Sequence, residues 1–349
     1  MRETNEKGFT LIELMISLVI FSFAIAGVLS VAVSITQGFR EQRQAVQAEA
    51  AVRVPMDFIL DSLRQAGPGV ASPVNVQDIT TCTSGAITVG NAPGGTYDSR
   101  NIIAGTDTLD VIYATGAVAT STRDAYGAND AGPITVNDAS QFSDGDYVVI
   151  TDFTKAVFTR VSTVTGSDLT LDGAASGCTV SWPTTACTDC SSAGAGFNKG
   201  ATVIRAQHAH FFIADLGDGS GVPALWMDPD AGGALDAEPL AEGIEDMQIA
   251  VGIDANGTNG VEEGATASTT DEWRYNISGD TAPVATDIIR AARVTLIART
   301  GALSGKQATS GPTLQRPAAE DHTAATSQDT YRRRVLRTIV ELRNNGSSP

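Results

Sequence analysis

The sequence predicts an α+β protein, with one long N-terminal helix followed by a head built on an antiparallel β-sheet. Three observations lead there. An uncharged apolar run from Leu14 to Ile35 is long enough for a helix of roughly 33 Å, about the thickness of a bilayer's hydrocarbon core. Beyond it, Ala45, Ala48, Val52, Met56, Ile59, Leu63 and Ala66 recur at spacings of three or four, which puts one apolar stripe along a helix. After Gly67-Pro68 the chain changes to short alternating runs separated by Gly-, Asp- and Ser-rich turns, with 35 glycines in 349 residues and only 18% charged side chains.

The helix is expected to run from Phe9 to Ala66. Its second half has Glu49 and Arg53 spaced for an i,i+4 ion pair. Gly67 provides a left-handed cap and Pro68 bars continuation. Gly27 and Gly38 weaken the helix, and Pro55 should bend it by losing the bond to the Ala51 carbonyl. The apolar half carries one carboxylate near its start, Glu13. An ionised side chain in lipid costs at least ~2.5 kcal/mol, so a plain anchor leaves Glu13 unexplained and the residue marks a functional position.

The head is taken as residues 68–349. Val70 to Asn101 reads as loops with a short strand at Ala86–Val89, and Asp107–Ala114 alternates as a strand. The runs ITV, DYVVITD, AVFTRVSTV and DLTLD between Ile134 and Asp172 suggest a compact β-rich insert over 134–172. A Cys-rich loop follows at 177–200. Ala201–Asp215 and Ala224–Met227 read as strands, and Leu240–Val251 as a short helix passing into a strand. Asp287–Thr300 and Tyr331–Arg343 close the sheet, and the polar loop Gly301–Gln328 between them is expected to be mobile.

Several constellations in the head invite a chemical reading. Cys82, Cys178, Cys187 and Cys190 are an even set beyond the apolar segment, which suits two disulfides of any of three connectivities. Cys187 and Cys190 alone would also suit half a zinc site or a redox pair. His208 and His210 share one face of a strand, where they either share a metal or lie between strands. Asp254, Asn256, Thr258 and Glu262 resemble the oxygens of a calcium loop, but the sixth position is Asn259 where Gly is expected and the twelfth is Ala265. A hairpin tip explains them as well. Arg332, Arg333, Arg334 and Arg337 gather positive charge on a chain of net charge −17, as a solvated edge strand or as a docking patch for an acidic partner. So acidic a protein is a poor ligand for nucleic acid. No Gly-x-Ser-x-Gly, His-Glu-x-x-His or phosphate-binding loop is present, and the only histidines are His208, His210 and His322. The sequence therefore predicts no enzyme, no catalytic residue, no cofactor and no metal.

Lys7-Gly8-Phe9-Thr10-Leu11-Ile12-Glu13-Leu14 resembles, without a gap, the leader signal of type IV prepilins and of the pseudopilins of type II secretion. The resemblance implies a leader 1–8 cut after Gly8 by prepilin peptidase, N-methylation of Phe9, and pairing of Glu13 with the terminal amine of a neighbouring subunit. It further implies a pilin-like fold, with 9–36 as the transmembrane and assembly half of the helix and 37–67 as its amphipathic half. Leu60–Gly67, Leu240–Asp254, Ile289–Thr300 and Tyr331–Asn344 together resemble the W-type (PilW-like) minor pilins. That family implies other minor pilins and the major pilin as partners. It also implies an inner-membrane anchor with a periplasmic head before assembly, and a place in a priming complex at the pilus tip after it. The J-type pseudopilin of type II secretion shares this plan and is the nearest alternative. A tip adhesin is the other, its binding surface residing in exposed loops.

Overall fold

The computed structural model describes residues 10–67, 76–78, 83–125, 133–152, 156–171, 197–217, 219–230, 236–258, 260–264, 271–280, 282–283, 289–299 and 314–342. The chain divides into two compact units, Met1–Gln47 and Ala48–Pro349. One α-helix, Leu11–Gln65, begins in the first and ends in the second, and its assignment runs unbroken through Pro55.

In the second unit the helical stripe is buried as its spacing requires. Val52, Met56, Ile59, Leu60 and Leu63 are at most 4% exposed and pack with Val111, Phe158, Phe211, Met247, Val294, Leu296 and Val340. Each such side chain contributes about 1.5–3 kcal/mol on burial, so this face fastens the helix to the head. Glu49 and Arg53 form the anticipated pair at 2.6 Å. The helix ends at Gln65; two residues on, Gly67 has a φ of 122° that suits glycine, and its N–H donates to the Ile112 carbonyl at 3.0 Å.

The head contains two main sheets. In the eleven-stranded one, Thr202–Asp215 is the central strand. One edge of it pairs antiparallel with Thr108–Ser121. Its other edge is shared, with Tyr147–Thr151 against the first half and Pro223–Asp228 against the second. Ala156–Thr165 continues the sheet beyond Tyr147–Thr151, and Glu238–Glu242 closes it beyond Pro223–Asp228. Strands from the 134–172 stretch are thus woven into the main sheet, while Ile134, Phe142, Ile150, Val161 and Leu169 gather around Phe197 in a core cluster of their own.

The second sheet runs Trp273–Arg274, Ile244–Ile253, Ile289–Arg299, Arg333–Glu341, all antiparallel. Asp107 ties it to the first. Its Oδ2 accepts the Ile249 N–H at 2.8 Å, its Oδ1 accepts the Ala92 N–H at 3.0 Å, and its own N–H donates to the Met247 carbonyl at 2.9 Å.

Two expectations are corrected. Residues 238–253 contain no helix, because Gly243, with φ of 80°, turns one strand directly into the next. The described part of the loop before the last strand, 314–329, lies pinned by charge. Arg316 Nη1 donates to Asp246 Oδ2 at 2.6 Å, and Glu320, its side chain 1% exposed, accepts from Arg293 at 2.7 Å. A segment so polar packs because Arg316, Glu320 and Asp329 each meet an opposite charge from the second sheet, in Asp246, Arg293 and Arg333.

Candidate functional site

The residue singled out by the sequence, Glu13, lies in the first turn of the helix. Its Oε2 accepts the Thr10 N–H at 3.0 Å and the Thr10 hydroxyl at 2.9 Å, while the Glu13 N–H donates to Thr10 Oγ1 at 3.3 Å. This is a reciprocal capping box, Thr10-x-x-Glu13, which satisfies amides that a helix start otherwise leaves open. The apolar stretch Leu11–Phe39 is 29 residues long, about 44 Å at 1.5 Å per residue, enough to cross a bilayer. Glu13 is its one charged residue. The hydroxyls of Ser22, Ser34 and Thr36 donate to carbonyls of their own helix at 2.8–3.0 Å, and Ser17 likewise donates to the Glu13 carbonyl. No polar group among them needs water, so the segment suits lipid. Gly8 and Phe9 lie outside the described residues, as do Cys82, Cys178, Cys187 and Cys190.

In the head, the titratable residues that drew attention in the sequence are engaged in structure. His208 and His210, 4% and 7% exposed, both reach Asp110 Oδ1, at 3.2 and 2.8 Å. Burial pushes the Asp110 carboxyl up, but the two imidazoles more than offset it and bring it down to about 2. His322 lies at 3.0 Å from Asp246, the carboxylate that also holds Arg316. The sheet-joining Asp107 goes the other way, its burial raising the carboxyl to about 7 against the pull of two backbone amides. These are inter-strand and inter-sheet fasteners.

The 254–262 loop is organised by an anion. Glu272, 2% exposed, accepts the N–H groups of Ala255 and Asn256 on Oε1 and of Glu262 on Oε2, at 3.0–3.1 Å. Asn256 Oδ1 is taken by the Thr258 N–H at 3.0 Å, and Asp254 faces Arg290 at 3.6 Å. Loop amides point inward, where a calcium loop turns oxygens inward, so the calcium reading does not fit. A different group, missed in the sequence, has spacing that would admit a cation: one oxygen each of Asp228, Asp230 and Asp236, within 4.8 Å of one another. Asp228 already accepts the Tyr97 hydroxyl at 2.7 Å and the Asp230 N–H at 3.0 Å. The D-P-D spacing was the only sequence signal for this trio, and it is equally a turn signal.

Comparison with known families bears on both ends of the chain. Residues 4–29, which carry the Thr10–Glu13 box, match the prokaryotic N-terminal methylation motif. Residues 210–344, which contain the whole second sheet, match type IV pilus-assembly protein W. The chain is PilW-like. The matched stretch takes in three of the four segments whose sequences resemble W-type minor pilins, Leu240–Asp254, Ile289–Thr300 and Tyr331–Asn344, and leaves out the helix end. No curated protein matches the chain. A type IV pilin of this kind works among other pilus components, and its methylation motif and apolar helix fit a membrane-anchored protein.

Proposed function

We propose that this chain is a minor pilin that helps prime type IV pilus assembly and resides at or near the tip, without enzymatic activity. The observation that carries the reading is the Thr10–Glu13 box at the start of an apolar stretch, Leu11–Phe39, with no other charge. In that setting a neighbour's terminal amine is the natural complement for Glu13, and a low dielectric makes the pairing selective for register. In this proposal prepilin peptidase removes residues 1–8 after Gly8, Phe9 becomes the methylated first residue, the head faces the periplasm before assembly, and the four cysteines pair there.

The size of the head supports a place near the apex. In a filament each head must fit beneath the next, and strands of 14 residues with long polar loops crowd a repeating shaft. The histidine-bearing clusters, enclosed and serving as fasteners, favour a structural role over a catalytic one.

Quantitative mass spectrometry of sheared pili tests the reading. The expected result is a chain beginning at methylated Phe9, present at one or a few copies per filament. Abundance equal to the shaft protein overturns the tip placement. Co-fractionation with a type II secretion apparatus in place of pili overturns the pilus reading.

A further inference from the structure

The strand Arg333–Glu341 ends the second sheet, paired on one side with Ile289–Arg299 and on the other with no strand among the described residues. The Leu342 N–H donates to the Arg290 carbonyl at 2.8 Å, which fixes the phase of the ladder. Even-numbered residues therefore turn their backbone groups toward Ile289–Arg299, and Arg333, Val335, Arg337, Ile339 and Glu341 turn theirs toward the free edge.

The same odd-numbered residues carry the unusual side chains. Leu336, Val340 and Leu342 face the core, whereas Val335 is 42% and Ile339 56% exposed. Among the described residues these two are the only large apolar side chains exposed on any strand. An edge that merely resists aggregation carries charge without apolar teeth. Four of the chain's 23 basic residues fall within positions 332–337, on a protein of net charge −17. Arg333 is held by Glu245 and Asp329 with its side chain 8% exposed, so the outward face open to a partner reads apolar, basic, apolar, acidic through Val335, Arg337, Ile339 and Glu341, with the Arg337 side chain 51% exposed.

We propose that this edge pairs strand to strand with a segment of a different pilus subunit, one in which acidic and apolar side chains alternate. Backbone bonds supply the attachment, and the Val335–Arg337–Ile339 alternation, with Arg337 as its exposed cation, sets which strand is accepted and in what register. The inference rests on the chain's being a pilus subunit. A second copy is the weaker fit. This head's own acidic edge, Glu238–Glu242, has Pro239 as its second residue, which withholds a backbone N–H.

Direct evidence comes from a photo-reactive phenylalanine analogue placed at Val335 in the full chain in cells, with the adduct mapped by mass spectrometry. The expected adduct is to an acidic, alternating strand of another subunit with a methylation-type N-terminus. Adding Ile339→Pro removes an N–H that points only to the free edge, so it should cut the adduct at least ten-fold and leave the thermal midpoint within a few degrees. Thr338→Pro is the contrast, since it removes a bond to Ile289–Arg299 and should destabilise the fold. An adduct to a second copy, an adduct unchanged by Ile339→Pro, or no adduct from chains recovered in filaments overturns the edge proposal. Absence of the chain from filaments sinks the pilus reading instead; an adduct formed in the membrane fraction would then still support the edge.

Discussion

The buried pair Arg293–Glu320 should dominate the stability of the second sheet. The Glu320 side chain is 1% exposed and that of Arg293 6%. Glu320 Oε2 accepts from Arg293 Nε and Nη2 at 3.0 and 2.7 Å, and its Oε1 accepts from Thr295 Oγ1 at 3.0 Å and lies 3.1 Å from Arg337 Nη2. Arg293 also sits over the Trp273 ring at 4.4 Å and reaches Glu263 at 3.0 Å. Glu263 is 69% exposed, so water screens it and it cannot compensate a lost Glu320. Replacing Glu320 by Gln leaves a guanidinium buried with no adequate counter-charge, which costs about 3–5 kcal/mol. A chain of this size loses about 2–4 °C per kcal/mol, so a fall of roughly 6–20 °C is expected. The double change Arg293→Met with Glu320→Leu removes both charges and fills the space, and should be less destabilising than the sum of the single changes by more than about 1 kcal/mol. Urea denaturation of the detergent-solubilised protein, followed by tryptophan fluorescence with Trp273 as a local reporter, measures both. A loss below about 1 kcal/mol for Glu320→Gln, or simple additivity in the double variant, would refute the reasoning.

How much of this was legible in the sequence depends on the range over which each signal acts. The helix was legible because its information is local: the 52–63 stripe, the Gly67 stop and the Glu49–Arg53 spacing all act within a turn or two. Strand positions were legible for the same reason, and Arg333–Glu341 shows the inward and outward sets that alternation predicts. Pairing was not, since nothing in Tyr147–Thr151 says that it lies beside Thr202–Ala206. Charge was misread where its partners are far apart in sequence. Residues 314–329 look like a solvated loop by composition, yet Arg316 meets Asp246 and Glu320 meets Arg293. The 254–262 loop misled for a related reason. Its oxygens suggested a cation, while the group that organises it, Glu272, is a carboxylate ten residues beyond Glu262. At Glu13 the sequence carried both meanings at once, since Thr-x-x-Glu is a capping signature and the same Glu belongs to the prepilin signal.

Three further outcomes are expected. Glu272→Gln turns an amide N–H toward a loop donor and should cost about 2–4 kcal/mol, with faster hydrogen exchange at Ala255, Asn256 and Glu262 as the measurement that checks it. Gly105→Ala should cost about 1–3 kcal/mol, because Gly105 has φ of 83° and an added Cβ would lie 2.6 Å from His322 Nε2; an unchanged urea midpoint would count against it. The last concerns pH, and it sets two carboxylates of opposite shift against each other. Asp110 lies at about 2, below its ordinary 3.8, so its contribution of about 2 kcal/mol is complete above pH 4 and lost as pH falls through 2. Asp107 lies at about 7, so its contribution is complete below pH 4 and lost as pH rises through 7. Stability should therefore peak near pH 4. Asp107→Asn should flatten the decline between pH 4 and 7 and spare the acid limb, and Asp110→Asn should do the reverse. Urea midpoints across pH 2–8 decide it, and a decline from pH 5 to 7 that survives Asp107→Asn would show that burial of this carboxylate is not its cause.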